Sequence, residues 1–345
     1  MTFDIRFQEL ADAGMVIPDG QYILDSNDIL ASDAIAMDAV PTLSTSPNAG
    51  IPAFMTTYVD PNLINVVFTP MKGAEIAGEM KKGDFITREA TFPMIEATGE
   101  VTSYGDWNNG GEFDIKANWP NRESYHYQGF ARWGERQVET FAAARIQYVA
   151  GLRSAAVLKL NKFQNQTYFF GVEGLKNYGY LNDPSLNAAI TPTTKAAGGT
   201  GWANATSLER VADVVKLIQN LISQTGGLID TTTDMTLVLS PTSYGLLTMP
   251  NEFGLSVSDQ IKKQFPSLEI INAPEMGDLP SQTVQTMMLL AKEIDGQQVA
   301  TAAFTEKLRT HTVIPEASAW KQKLSQGTWG AIIYMPVGVV TMTGI

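Results

Sequence analysis

Residues 135–164 read ERQVETFAAARIQYVAGLRSAAVLKLNKFQ, thirty positions without a proline. Apolar residues recur at Val138, Phe141, Ala142, Val149, Leu152, Ala156, Leu160 and Phe163. Most of these steps are three or four residues, which places them on one face of an amphipathic helix. Glu135 at the start and Lys159 and Lys162 near the end complement the helix dipole. Thirty residues predict a single rod of about 45 Å, long for a globular helix. Gly151 in its middle costs roughly 1 kcal/mol relative to alanine and marks where a bend is expected. The rest of the chain has to be arranged around this element.

Upstream, residues 83–133 read as β structure. Residues 113–119 (FDIKANW) alternate apolar and polar with period two. The cluster DWNNGG at 106–111 is turn chemistry. It predicts a hairpin between residues 100–104 and 113–119, with Trp107, Asn108, Asn109 and Gly110 at the tip. A further strand, 125–130, follows Pro120. Both faces of the hairpin read as fairly polar, and a long ribbon of that kind needs a partner to lie on. Tyr104, Trp107, Trp119, Tyr125 and Tyr127 gather in this region. Without interleaved basic residues they suit protein contact better than base or sugar stacking.

Downstream, a Gly/Asn/Pro-rich connection over 171–184 leads into a polar insertion with GGTG at 198–201, which reads as a flexible turn. Thr206-Ser207-Leu208-Glu209 is a capping box. It opens a helix with Leu208, Val211, Val214, Val215, Ile218, Leu221 and Ile222 on one face, stopped by Gly226-Gly227. Strands are then predicted at 235–239, 268–271 and 284–290, and helices at 241–248 and 257–265. This alternation describes an α/β unit of about 120 residues. Residues 306–345 return to strands.

The first fifty residues carry eight acids against one base, Arg6. Their apolar residues, among them Ile23, Leu24, Ile29 and Leu30, are scattered. Such a segment cannot bury a core of its own and is expected to order as an arm on neighbouring subunits.

The whole chain of 345 residues is 44% hydrophobic and 17% charged, with a formal charge of −12. A sizeable core is therefore available, whereas a basic nucleic-acid-binding surface is not. There are no cysteines and only two histidines, His126 and His311. This removes disulfides, thiolate nucleophiles and Cys-ligated zinc. Both histidines sit in strand-like segments, where a locally bonded sheet residue is the better reading than a catalytic base. No phosphate loop, HExxH, GxSxG or strand-linked GxGxxG is present. The thirty-six acids offer no distinguished pair, and DSND at 25–28 lacks a calcium loop. No catalytic, cofactor-binding or metal-binding residue is assigned. There is no secretory signal and no apolar run of membrane-spanning length, so folding in a cytoplasm and no membrane contact are expected.

Local sequences add a resemblance. RSAAVL at 153–158 runs into NQTYFFG at 165–171; YGYLNDP at 178–184 looks like a Gly-Leu-Leu-Asn-x-Pro corner; KLRTH at 307–311 and GTWGAIIY at 327–334 look like closing strands. Together with the element order, these resemble the tailed-phage major capsid protein, the Hong Kong 97-type fold shared with encapsulin shells. The resemblance implies an α+β fold with an N-arm (1–50), the start of a peripheral domain (51–83) and an extended hairpin loop (84–133). The peripheral domain with its spine helix follows (134–184), then an inserted α/β axial domain (185–303) and return strands (304–345).

It also implies a virion shell of hexamers and pentamers around double-stranded DNA, held non-specifically. Contacts would come from Trp107, Asn108, Asn109 and Gly110 of the loop and Ile23, Leu24, Ile29 and Leu30 of the arm. Implied partners are further copies, a portal protein, a separate scaffolding protein and decoration proteins. Many relatives carry a long helical scaffolding segment at the N-terminus, for which an acidic segment of fifty residues is too short. The alternatives are an encapsulin-type compartment and, from another class, a carbohydrate-binding protein or hydrolase using the hairpin aromatics.

Overall fold

The computed structural model describes residues 70–143, 147–250, 254–280 and 282–345. Its first elements are α1 (Gly73–Ala77), β1 (Glu79–Lys81), β2 (Glu89–Thr91), β3 (Met94–Gly99), β4 (Phe113–Asn118), β5 (Asn121–Glu123) and β6 (Tyr125–Gly134). The helices α2 (Glu135–Ala143) and α3 (Tyr148–Phe170) follow, then α4 (Ser207–Gln224), β7 (Met235–Leu239), α5 (Pro241–Thr248), α6 (Val257–Gln264) and β8 (Leu268–Asn272). The chain closes with β9 (Thr286–Ala291), β10 (Glu293–Ile294), β11 (Gln297–Gln298), β12 (Ala300–Glu316), β13 (Ala319–Ile333) and β14 (Val339–Thr343). Described residues 70–129, 155–309 and 324–345 belong to one compact unit, and 130–143, 147–154 and 310–323 to a second, smaller one.

The single helix expected over 135–164 is two helices, and the interruption lies before Gly151. Gln147 is non-helical, and Gly151 sits inside α3, its N–H donating to the Gln147 carbonyl at 3.1 Å. Nothing crowds the place where a Gly151 Cβ would project. The helix also runs on past residue 164. Gln164, Asn165, Thr167, Tyr168 and Phe169 are all buried, and their polar atoms are paired. Gln164 Nε2 donates to the Tyr168 hydroxyl at 2.7 Å, and the Thr167 hydroxyl donates to the Gln164 carbonyl at 2.7 Å.

What ends α3 is a packed corner. Gly171 has φ +63°, and a Cβ there would stand 2.2 Å from the Asn177 carbonyl oxygen. At Gly179 a Cβ would stand 2.2 Å from the Phe169 carbonyl carbon, so two backbones touch where only glycine fits. Asn182 clamps the crossing, accepting from the Gly179 N–H at 2.7 Å and donating to the Phe170 carbonyl at 2.5 Å. Asp183, next in sequence, forms a buried ion pair with Arg122 at 2.5 Å. A buried pair of this kind fixes one geometry, and removing either partner is costly.

The α/β unit follows the expected element order to within one or two residues at most boundaries. Its sheet runs β14-β9-β7-β8. Strand β7 pairs with β8 in parallel and with β9 antiparallel, and every residue of β7 and β9 is buried. The expectation grouped all of 304–345 as closing strands. Its last strand, β14, instead pairs with β9 through Val339↔Leu290 to Thr343↔Thr286, adding an edge to the α/β sheet.

Thr206 caps α4 in the predicted capping box, and the Ala196 and Thr206 amide N–H groups hold the Glu209 carboxyl below its usual pKa. Val214, Leu217, Ile218 and Leu221 are buried. Leu208, expected on that face, is 74% exposed. At 3.6 residues per turn it points roughly 130° away from the face's centre. Beside this core, Asp213 is fully buried, paired with Lys195 and accepting from the Thr193 N–H at 3.1 Å and Trp202 Nε1 at 2.8 Å. Three donors thus satisfy one buried carboxylate.

Candidate assembly surface

The hairpin differs from its sequence reading in one decisive way. Strand β4 pairs with β3, in the register Ile95↔Ala117, Ala97↔Ile115, Gly99↔Phe113. Residues 100–104 belong to the loop instead. Residues directly opposite each other share a face, so Ile95, Ala97, Gly99, Phe113, Ile115 and Ala117 lie together. Thr98, Asp114, Lys116 and Asn118 lie on the other side. The hairpin therefore has one apolar face where two polar faces were expected; the wrong partner strand had hidden it. Every residue of β4 is exposed, with Phe113 at 78%, Ile95 at 71% and Ile115 at 65%. An apolar ribbon face with no cover is the signature of a contact surface.

The loop at 100–112 is shaped by Asn108. Its Nδ2 donates to the Ser103 carbonyl at 2.7 Å, its Oδ1 accepts from the Gly110 N–H at 2.9 Å, and its own N–H donates to the Gly105 carbonyl at 2.9 Å. Gly111 follows with φ +92°, and Glu100 N–H closes the loop on the Glu112 carbonyl at 3.1 Å. Trp107, 98% exposed, is carried beside this turn, with Tyr104 almost as exposed. The four loop residues singled out from sequence are thus brought together at one tip. Residues 94–118 hold five acids and one base, Lys116, so the ribbon is strongly acidic as well as apolar. The arm residues Ile23, Leu24, Ile29 and Leu30 lie outside the described residues.

The other aromatics separate. Tyr127 is buried, its ring 6.2 Å from Tyr125 and 4.6 Å from Phe163, and its hydroxyl donates to Gln326 Oε1 at 2.7 Å. It belongs to the body of the protein and not to the hairpin, which corrects the grouping made from sequence. Trp119 stays exposed just beyond β4.

Chemistry is sparse elsewhere. His126 in β6 lies 3.1 Å from the Thr305 hydroxyl with the Phe85 ring edge-on to it, and burial holds its pKa below the usual imidazole value. Thr305 is fully buried, and a Cβ at Gly327 would collide with both side chains. The pair is packing inside the sheet. Among the described residues no group of three or more His, Asp or Glu is placed to hold a metal ion. An open depression of about 580 Å³ is lined by Gly134, Glu135, Arg136, Gln137, Glu139 and Ser318.

A buried carboxylate joins the α/β unit to α3. Glu275 is 4% exposed; its Oε1 accepts from Asn165 Nδ2 at 2.5 Å, and Asn165 Oδ1 accepts from the Gly73 N–H at 2.8 Å. Burial raises the Glu275 pKa, opposed by the Asn165 bond and by Lys162. Tyr168 donates to Glu79 Oε1 at 2.7 Å; burial, with that carboxylate, drives its pKa far above the phenol range.

This mixed α+β architecture is that of viral capsid shell proteins of the Hong Kong 97 type. Over 86% of this chain and 100% of that one, it superposes on the capsid of Myoviridae phage XM1 with a TM-score of 0.70 at 13% identity. The capsid of an empty GTA particle gives 0.56 at 13% identity over 86% and 98% of the two chains. Gordonia phage Cozz gives 0.52 at 10% identity over 95% and 97%. Residues 42–344 match the Pa193 gp26 major capsid protein family, and the chain belongs to it. No curated protein matches the chain. It is a structural protein of the virion that forms the icosahedral shell of a tailed phage, not an enzyme. This sets aside the compartment and carbohydrate readings.

Proposed function

We propose that the chain builds its shell as hexamers and pentamers in which the β3–β4 hairpin lies on a neighbouring subunit. In this reading residues 84–133 are the extended loop, 134–184 the peripheral domain with α3 as its spine, and 185–303 the axial domain. Residues 304–345 return to the peripheral domain, although β14 is hydrogen-bonded to the α/β sheet. Residues 51–83 begin the peripheral domain, and residues 1–50 form an arm that wraps adjacent subunits through Ile23, Leu24, Ile29 and Leu30.

The observation that carries this reading is the uncovered apolar face of the hairpin. Burying Ile95, Phe113 and Ile115 contributes about 1.5–3 kcal/mol each. Part of that gain offsets the entropy of association. Repeated around every subunit of a closed shell, even a modest surplus is decisive. Trp107 at the tip supplies the aromatic anchor that dominates many interfaces. A whole-chain charge of −12 leaves packaged double-stranded DNA held non-specifically and loosely. A portal protein, a separate scaffolding protein and decoration proteins complete the set of partners.

The test is deletion of residues 105–111. The shortened chain is expected to fold with unchanged stability and to remain as small oligomers under conditions in which the full chain forms shells. Normal shells from the deletion would overturn the assignment.

A further inference from the structure

The sequence contains one Asn-Gly dipeptide, Asn109-Gly110, and the fold sets it at the exposed tip of the hairpin. An asparagine followed by glycine is the pair most open to intramolecular attack, because no Cβ screens the following amide nitrogen. We infer that Asn109 is a spontaneous deamidation site whose rate is governed by Asn108, and that its conversion times out the assembly competence of free subunits.

The step balances within the chain and water. The Gly110 amide gives up its proton to hydroxide, and its nitrogen attacks Asn109 Cγ. The new N–Cγ bond closes a succinimide as the Cγ–Nδ2 bond breaks and ammonia leaves. Water then opens the ring at either carbonyl, giving aspartate or isoaspartate.

The structure opposes the first event at one atom. The Gly110 N–H that must ionise is donated to Asn108 Oδ1 at 2.9 Å, and the same Asn108 side chain is tied to the Ser103 carbonyl at 2.7 Å. A hydrogen bond from the N–H to a neutral acceptor stabilises the protonated amide and fixes the turn. Asn108 is thus a positioning residue that slows the reaction without taking part in it. A Cβ at Gly110 would lie 3.1 Å from Asn108 Oδ1 and 3.3 Å from the Thr102 hydroxyl. That is tight but tolerable, so Gly110→Ala is a usable slow variant. Conversion adds a negative charge to a ribbon that already carries Glu100, Asp106, Glu112 and Asp114, and isoaspartate lengthens the backbone at the apex. The chemical step stands on the tip geometry alone; the consequence for assembly rests on the hairpin being a subunit contact.

The experiment incubates dissociated full-length subunits in mildly alkaline buffer and follows the peptide containing Asn109 by mass spectrometry. The amide is expected to convert to acid with release of ammonia, several-fold faster in Asn108→Ala and slower by an order of magnitude in Gly110→Ala. Persistence of the Asn109 amide, or an unchanged rate in Asn108→Ala, would overturn the chemistry. In parallel, aged wild-type subunits and fresh Asn109→Asp are expected to stay folded, by circular dichroism, and to lose shell yield. Undiminished yield from both, while the 105–111 deletion fails to assemble, overturns the timing role and leaves the contact standing. Undiminished yield from the deletion as well removes the contact itself.

Discussion

Strands β4 and β7 are nearly equal in length and opposite in circumstance. In β7 all five residues are buried between β8 and β9, whereas in β4 all six are exposed, with β3 as the sole ladder partner among the described residues. A strand in the middle of a four-stranded sheet with α4 in the same core is stabilised by its own unit. A two-stranded ribbon in water is marginal by itself. The α/β unit therefore carries the stability of the fold, whereas the hairpin leaves its apolar face exposed. Separating stability from assembly by mutation is the way to test that division.

The largest effect is expected at the core. Val214 is fully buried on α4, and Val214→Asp places a second carboxylate beside Asp213, whose one cation is already engaged. An uncompensated buried charge costs roughly 3–5 kcal/mol or more, against a total stability of about 5–15 kcal/mol. The variant is expected to be insoluble on expression. Soluble protein that assembles normally would mean that the α4 face does not hold the unit together.

Ile115→Asp should do the reverse. It puts a charge on the apolar face of the hairpin, where Ile115 is largely exposed, so the unfolding free energy from denaturant titration should change by no more than about 0.5 kcal/mol. Shell formation, followed by electron microscopy or sedimentation, should fail. A large loss of stability with assembly intact would erase the contrast between the two regions.

The same contrast explains what was legible in the sequence. Helix α4 was readable because the Thr206–Glu209 box marks its start and Gly226-Gly227 its end; the Ser240 cap of α5 and the Ser256 cap of α6 are added by the structure. The hairpin tip was readable because Asn and Gly residues announce a turn. Its register was not, since 100–104 has strand-like composition and only the observed pairing shows that 94–99 is the true partner. With the partner misplaced, the apolar face was invisible. Residues 165–170 fall outside the helix predicted over 135–164, and their burial in α3 depends on partners far along the chain, such as Glu275 and Thr328. The placement of β14 is also non-local, as nothing in VVTMT says which sheet it will join.

The smallest effect is expected at Glu275, where the α/β unit meets α3. Because burial raises its pKa in the fold, the native state binds this proton more tightly than the unfolded chain does. Stability from this group is present in full below the ordinary carboxylate pKa and is lost as pH rises through the raised one. The carboxylate is thus a standing cost at neutral pH, with Oε2 buried and unpaired. Glu275→Gln keeps an oxygen for Asn165 Nδ2 and removes the charge. The variant should match the wild type in acid, exceed it slightly at neutral pH, and show a flatter thermal stability between about pH 4 and pH 7. Parallel curves for the two proteins would show that Glu275 is solvated and ionised throughout that range. In that case the joint between α3 and the α/β unit would be looser than the Asn165–Glu275 hydrogen bond indicates.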